Sequence, residues 1–245
     1  MKSQGDTNRI KAKILDWGAD LVGVTDTESL NELKVIPPNL LQGFDRAVSI
    51  AIQLPISIFE EISDKPTPNY SSAYKTANLI LDQLAYKTAL AFQKEGYHSL
   101  PIPASQVLDY ENLYAAISHK AVARMAGLGW QGKNLLIITP QYGPRVRLVT
   151  VLTAAPLIVD MPIKNRCGDC MLCRDACPAK AIRGVNTTDH YKDRSEALHF
   201  SRCVDKLTIE YTALPGVDAG ICGICIKVCP FGRKIKKGNR SKMVF

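Results

Sequence analysis

All eight cysteines of this 245-residue chain fall between Cys167 and Cys229, and their spacing constrains the fold more than any other feature. The first run reads Cys167-x2-Cys170-x2-Cys173-x3-Cys177-Pro178. The second reads Cys222-x2-Cys225-x3-Cys229-Pro230, with Cys203 nineteen positions before Cys222. Two-residue gaps let three thiolates reach one cubane cluster from a single wrapped loop, and the fourth ligand must come from elsewhere. Where two such clusters sit together, the cysteine before the proline ligates the other cluster. That rule gives Cys167, Cys170, Cys173 and Cys229 to one [4Fe–4S] cluster, and Cys203, Cys222, Cys225 and Cys177 to a second. No cysteine is left over. Cys203 departs from the usual pattern, because it replaces a first cysteine that normally stands close by. Disulfides fit poorly, since "MKSQGDTNRIKAKILDWGAD" at the N-terminus lacks the apolar run of an export signal. Zinc prefers paired CxxC motifs and leaves the close triplet and the two Cys-Pro endings unexplained.

The first 166 residues contain no cysteine. This shift divides the chain into a larger α/β unit over 1–160, a two-cluster module over 161–232 and a basic tail over 233–245. A 46% hydrophobic content is enough for a sizeable core. No stretch of about 18 apolar residues could span a membrane, so a cytoplasmic protein without membrane contact is expected. The net charge of +8 points to an anionic partner. Two oxidised clusters with their thiolates, at about −2 each, bring it to roughly +4. Much of the excess is local: "FGRKIKKGNRSK" carries six Lys/Arg and no acid. It reads as a solvated tail, or as a contact for nucleic acid or an acidic redox partner.

Before the cysteines, helical and extended patterns alternate. "RIKAKILDWGA" is helical and "DLVGVTD" and "RAVSIAIQLP" are strands. "YSSAYKTANLILDQLAYKTALAFQKEGY" is the longest helix, with Ala77, Ile80, Leu81, Leu84, Thr88 and Ala91 on one face. "HSLPIP" is short and extended, and "AAISHKAVARMAG" is a helix ending at Gly127. "NLLIITP" and "RVRLVTVLT" are strands joined by "QYGP". Helical turns are expected after the Cys-Pro corners, as in "PAKAIRG". The fold class is α+β. "GLGWQG" (Gly127 to Gly132) matches a dinucleotide fingerprint letter for letter. That fingerprint needs a strand before it and a helix after it, and here the order is reversed. Its glycines instead permit a tight turn or a close approach.

"AGLGWQGKNLLIITPQYGPRVRLVTVLTAAPL", followed by the cysteine runs, resembles the epoxyqueuosine reductase family and its relatives the reductive dehalogenases. "GADLVGVTD" extends the similarity towards the N-terminus, and "TPQYGPRVRL" is especially similar to the dehalogenases. The resemblance implies a nitroreductase-like α/β domain followed by a bacterial-type two-cluster ferredoxin module. It implies a cobalamin bound base-off, and none of the four histidines lies in a DxHxxG signature. Two clusters would relay electrons to this corrinoid for reductive removal of oxygen or halide. It places Gly127, Gly129, Trp130, Lys133, Asn134, Tyr142, Arg145 and Arg147 near the corrin. It further implies a low-potential donor such as a ferredoxin or flavodoxin, and a small-molecule or modified-nucleoside substrate.

Two departures bear on the substrate. Epoxyqueuosine reductases carry an acid in a D-S/T-x-P-like stretch before the glycine turn, and this chain reads "PIPASQVLDYENLYAAISHK" there. Asp109, Tyr110 and Tyr114 are the proton-donor candidates, with Glu111 a nearby acid; "DYEN" also reads as a surface helix start. Full-length members continue into a helical-repeat domain that contacts tRNA, whereas this chain ends sixteen residues after Cys229. A short member without that domain is expected, and both departures count against tRNA as a partner. His119 and Lys120 read either as helix surface or as cofactor contacts. Arg145 and Arg147 share one face by parity, for an anion or as a polar lining. The alternative function is a non-catalytic dicluster electron-transfer or corrinoid-activating protein. A third reading is tRNA binding through the basic tail.

Overall fold

Two eight-residue strands, β2 (Arg46–Gln53) and β6 (Val146–Thr153), alternate their side chains across the centre of the fold. They pair antiparallel, with Ile50 opposite Val149 and Ala51 opposite Leu148. β1 (Leu21–Asp26) flanks β2 and β3 (Ser99–Ile102) flanks β6, giving the order β1-β2-β6-β3 with every neighbouring pair antiparallel. The structure, a computed structural model, describes residues 4–233. Of the basic tail, only Arg233 therefore falls within the described residues.

Period-two alternation gives each sheet face its own layer. Val48, Ile50, Ile52, Val149 and Val151 pack with α1 (Gln4–Asp16) and α3 (Pro68–Lys94). Ala47, Ala51, Leu148 and Leu152 face α4 (His119–Met125), through Val122 and Ala123. α3 starts where the sequence provides a cap. The Thr67 side chain accepts from the Tyr70 amide, and Pro68 stands at the first helical position, where no N–H is needed. Its buried stripe is Ala77, Leu81, Leu84, Ala85, Thr88, Ala91 and Phe92. Ile80 sits off that stripe and is 40% exposed. Thr88 satisfies its buried hydroxyl by donating to the Leu84 carbonyl at 2.7 Å.

The glycine turn is built as its reversed context requires. Gly127 follows α4 at φ +70, and β4 (Trp130–Gln131) pairs with β5 (Ile137–Ile138) as a separate small hairpin. A Cβ at Gly129 would meet the Ile138 carbonyl oxygen at 2.4 Å, so glycine is needed for close approach. The strand expected over "NLLIITP" is cut to two residues, because Leu135 takes φ +61. "DYEN" forms no helix: Asp109 and Tyr114 bridge antiparallel across a tight loop.

The cysteine segment adds only short helices. α2 (Ile56–Glu60) from the sheet unit packs beside α8 (Ile224–Lys227), and α5 (Leu172–Asp175) also packs on α8. α6 (Arg194–Ala197) and α7 (Phe200–Asp205) lead into a π-helical turn, Lys206–Tyr211. The helical turns lie between the cysteines of each run rather than after the prolines. Past Pro178, Lys180 adopts φ +47 and Ile182 bridges to Leu198, which a continuing helix would not allow. Val217, Ile221 and Ile224 join the main sheet core, so the cysteine segment is packed into it.

Candidate functional site

The eight cysteines are all free thiols and only partly accessible. Cys167, Cys170, Cys173 and Cys229 line one small cavity with Lys133 and Phe231. Burial pushes Cys173 up to about 11, and the neighbouring Cys167, Cys229 and Cys170 add to the rise. Burial likewise lifts Cys229 to about 11, with Cys167 and Cys170 contributing. The other four interact among themselves. Cys222 is raised to about 11 by burial, then by Cys203 and Cys177. Cys225 is pushed well up by burial, then by Cys222, Cys173, Cys203 and Cys177. Its link to Cys173 shows that the two sets adjoin. Cys173, Cys177 and Cys225 also pack around the same apolar cluster of Leu135, Ile182 and Leu198.

Among the described residues, no three His, Cys, Asp or Glu side chains close on a single metal ion. A cubane takes one thiolate on each of its four irons, and four cysteines around one cavity match that requirement. Crowded thiols of raised pKa keep their protons until a metal displaces them. The donor set therefore fits two [4Fe–4S] clusters.

Each set has its own surroundings. Around the first, the Trp130 indole N–H points at the Cys167 sulfur at 3.4 Å, and Trp130 meets Phe231 edge-on at 4.8 Å. Lys133 donates to the Cys170 carbonyl at 3.1 Å. The second set adjoins a polar cluster of side chains in the sheet unit. Tyr70 feels the charges of Cys225 and Cys222, and Lys120 that of Cys203. Arg147 extends from β6 into the same polar cluster. It donates to Asn78 Oδ1 at 2.9 and 3.0 Å and to the Tyr74 hydroxyl at 3.2 Å, and its guanidinium lies 4.2 Å from the Tyr74 ring centre. Ser105 Oγ lies 3.1 Å from that hydroxyl. Burial alone would raise the Tyr74 phenol, but Arg147 and the hydrogen bonds from Ser105 and Asn78 outweigh it, leaving the phenol below its ordinary range. Burial, with Arg147 assisting, lowers Lys120.

His119 starts α4 near Arg147. Its Nδ1 is 2.8 Å from Thr150 Oγ1 and its Nε2 is 2.9 Å from the Pro103 carbonyl. Nε2 must donate to that carbonyl, which leaves Nδ1 to accept from Thr150. Burial holds the ring neutral, with a pKa lowered to about 4. Both nitrogens are engaged, so His119 offers no free imidazole.

Residues 166–232 match the 4Fe-4S double cluster binding domain family. Epoxyqueuosine reductase from Vibrio cholerae is 30% identical over 275 residues, covering 95% of this chain and 69% of the relative. The chain belongs to the epoxyqueuosine reductase family. The Escherichia coli (strain K12) epoxyqueuosine reductase is 28% identical, over 93% of this chain and 66% of its own length. This member thus spans about two thirds of the curated relatives it matches. A solved epoxyqueuosine reductase with a tRNA-Tyr epoxyqueuosine-modified stem loop is similar at a TM-score of 0.59 and 25% identity, over 93% of this chain and 65% of that one. A catabolic reductive dehalogenase in complex with 3-bromo-4-hydroxybenzoic acid shares the fold at a TM-score of 0.69 and 23% identity, over 92% of this chain and 31% of that one.

For this epoxyqueuosine reductase family member, the residues expected beside the corrin separate into two places. Trp130, Lys133 and Asn134 lie against the first thiol set. Arg147 joins the polar cluster of Tyr74 and Asn78. Arg145 instead donates to the Leu54 and Gly232 carbonyls, tying the sheet to the end of the second run. Gly143, beside Tyr142, packs on the Phe231 carbonyl, where a Cβ would come within 2.1 Å. Of the donor candidates, Tyr110 is 80% exposed. Asp109 accepts from the Asn112 amide and from Lys34, which hold its carboxyl below the usual range. Tyr114 is half-buried between Lys34 and Arg194, 4.3 and 5.0 Å from its ring centre. Sequence reasoning missed Tyr74 and Asn78, because a single helix face conceals which residues an arginine from a distant strand will reach.

Proposed function

We propose that the chain is a cytoplasmic iron–sulfur oxidoreductase of the epoxyqueuosine reductase type. The 161–232 unit carries electrons into an acceptor held by a nitroreductase-like 1–160 unit. The carrying observation is the hydrogen-bonded Tyr74–Asn78–Arg147 cluster, which shares its neighbours Tyr70 and Lys120 with Cys203, Cys222 and Cys225. Cys167, Cys170, Cys173 and Cys229 hold the outer cluster in this reading. Cys177, Cys203, Cys222 and Cys225 hold the iron–sulfur cluster beside these side chains.

A corrinoid held beside this cluster would supply the low-potential metal chemistry. Lys120, Arg147 and Arg194 suit its amide and phosphate groups, and the engaged imidazole of His119 fits base-off binding. Removing an epoxide oxygen as water takes two electrons and two protons; replacing a halide takes two electrons and one proton. Tyr74 is placed to give a proton. Arg147 donates to its oxygen, which leaves the phenolic hydrogen free for a neighbouring ligand or Ser105, and stabilises the phenolate left behind. The curated relatives named above are epoxyqueuosine reductases, and one solved relative is bound to a tRNA stem loop. An epoxide-bearing modified nucleoside is accordingly the first substrate to test, and a low-potential ferredoxin or flavodoxin the first donor.

The experiment is anaerobic reconstitution with iron, sulfide and cobalamin, followed by metal counts, visible spectra and EPR. About eight irons and one cobalt per chain, with a base-off Co(II) signal, are expected. Full iron without cobalt would overturn the corrinoid reading and leave an electron-transfer protein.

A further inference from the structure

Lys133 is 2% exposed. Its ammonium donates to the Cys170 carbonyl at 3.1 Å and touches Met171 Sδ at 3.8 Å. It lines the cavity of the first thiol set. Among the described residues no carboxylate forms an ion pair with it, although exposed lysines such as Lys34 and Lys75 have such partners. A buried ammonium without a counter-charge is strongly unfavourable, whereas one paired to a buried anion is retained. The negative charge available here is that of four thiolates and their cluster.

We infer that Lys133 is the counter-ion of the cluster held by Cys167, Cys170, Cys173 and Cys229, and that it raises this cluster's reduction potential. The inference rests on the ligand grouping proposed above. Adding an electron makes a cluster more negative, so a fixed neighbouring cation favours the reduced form. Arg166 and Arg233 also lie near this set, but both are exposed and screened by solvent and salt. Lys133 acts from inside, where its field is not screened. It neither ligates iron nor touches a substrate, and is a positioning and tuning residue.

The test is an EPR-monitored potentiometric titration of the reconstituted full chain with Lys133→Met and Lys133→Arg. Lys133→Met should lower one of the two midpoints by about 59 mV or more, a tenfold shift in a one-electron equilibrium. The other midpoint should stay in place, and Lys133→Arg should remain near the wild type. Unchanged midpoints in Lys133→Met with full iron would overturn the inference, as would an equal fall in Lys133→Arg. If Lys133→Met loses half its iron, full iron in Lys133→Arg supports a required charge, and the same loss there overturns it. A wild type that holds only about four irons would instead mark failure of the two-cluster grouping.

Discussion

The two thiol sets share one ligand chemistry and differ in what surrounds them. The first is closed in by Trp130, Lys133 and Phe231, which brace the cysteine loop. The second adjoins side chains of the sheet unit, Tyr70 and Lys120, which also neighbour Arg147. The difference separates roles. A set enclosed by its own loop and a hairpin can hold charge, and a set beside a polar cluster of the sheet unit can pass it on. In the proposed grouping the swapped cysteines make the two inseparable, because Cys177 leaves the first run to join the second set. Cys177→Ser breaks this comparison most directly. It should remove about four of eight irons and leave the EPR signal of the set built on Cys167. Loss of both signals, or loss of that first one, would sink the grouping.

The next largest effect concerns the proton. Tyr74→Phe keeps the ring beneath Arg147 and removes only the hydroxyl. With iron and cobalt retained, turnover of an epoxide-bearing nucleoside should fall by about 10²–10⁴. Asp109→Asn should leave it unchanged, since Lys34 and the Asn112 amide already hold that carboxylate ionised. Steady-state rates at saturating reductant decide between them; a Tyr74→Phe protein with normal turnover removes Tyr74 from the mechanism.

Gly168 directly follows Cys167 and Gly223 directly follows Cys222, and the two glycines sharpen the contrast. Both have positive φ, +49 and +83. An added Cβ at Gly168 meets nothing within 4 Å. At Gly223 it would lie 2.4 Å from Ile62 Cδ1 and 2.9 Å from Tyr70 Cε1. Gly168→Ala should cost about 1–2 kcal/mol of backbone strain. Gly223→Ala should add about 1–3 kcal/mol of overpacking to that. Equal shifts in apparent Tm would refute the idea that the second run is locked onto α3.

What was legible in the sequence follows from the range of the interactions. Cysteine spacing and the apolar runs of β2 and β6 are local, and each was legible as its element; the Thr67–Pro68 cap is equally local, yet the sequence reading starts the helix at Tyr70. The reversed context of "GLGWQG" was legible for the same reason. The α3 stripe was read nearly right, with Ile80 turned out because the sheet receives Leu81, Leu84 and Thr88. Long-range choices were hidden. Lys133 and Arg147 both read as corrin contacts by resemblance, yet one turns into the first thiol set and the other to Tyr74 and Asn78. Nothing in a strand's parity says that Arg145 will be taken up by Leu54 and Gly232. Tyr74 carried no motif at all; its environment exists only once β6 lies against α3.

The smallest predicted effect lies at His119. Burial, helped by the Arg147 charge and opposed by the bond to Pro103, depresses His119 to about 4, against about 6.5 in an unfolded chain. Between those values the unfolded chain binds the proton and the folded one does not, so stability rises with pH across this window and falls on acidification. From pH 7 to pH 5 the contribution lost should be about 1–2 kcal/mol. His119→Gln keeps a donor and an acceptor but cannot titrate. Comparing urea midpoints of wild type and variant at pH 7 and pH 5 isolates the effect from carboxylates that titrate in both. The variant should lose less stability on acidification. Parallel losses would mean that His119 protonates in place, and that its surroundings are wetter than its hydrogen bonds to Thr150 and Pro103 imply.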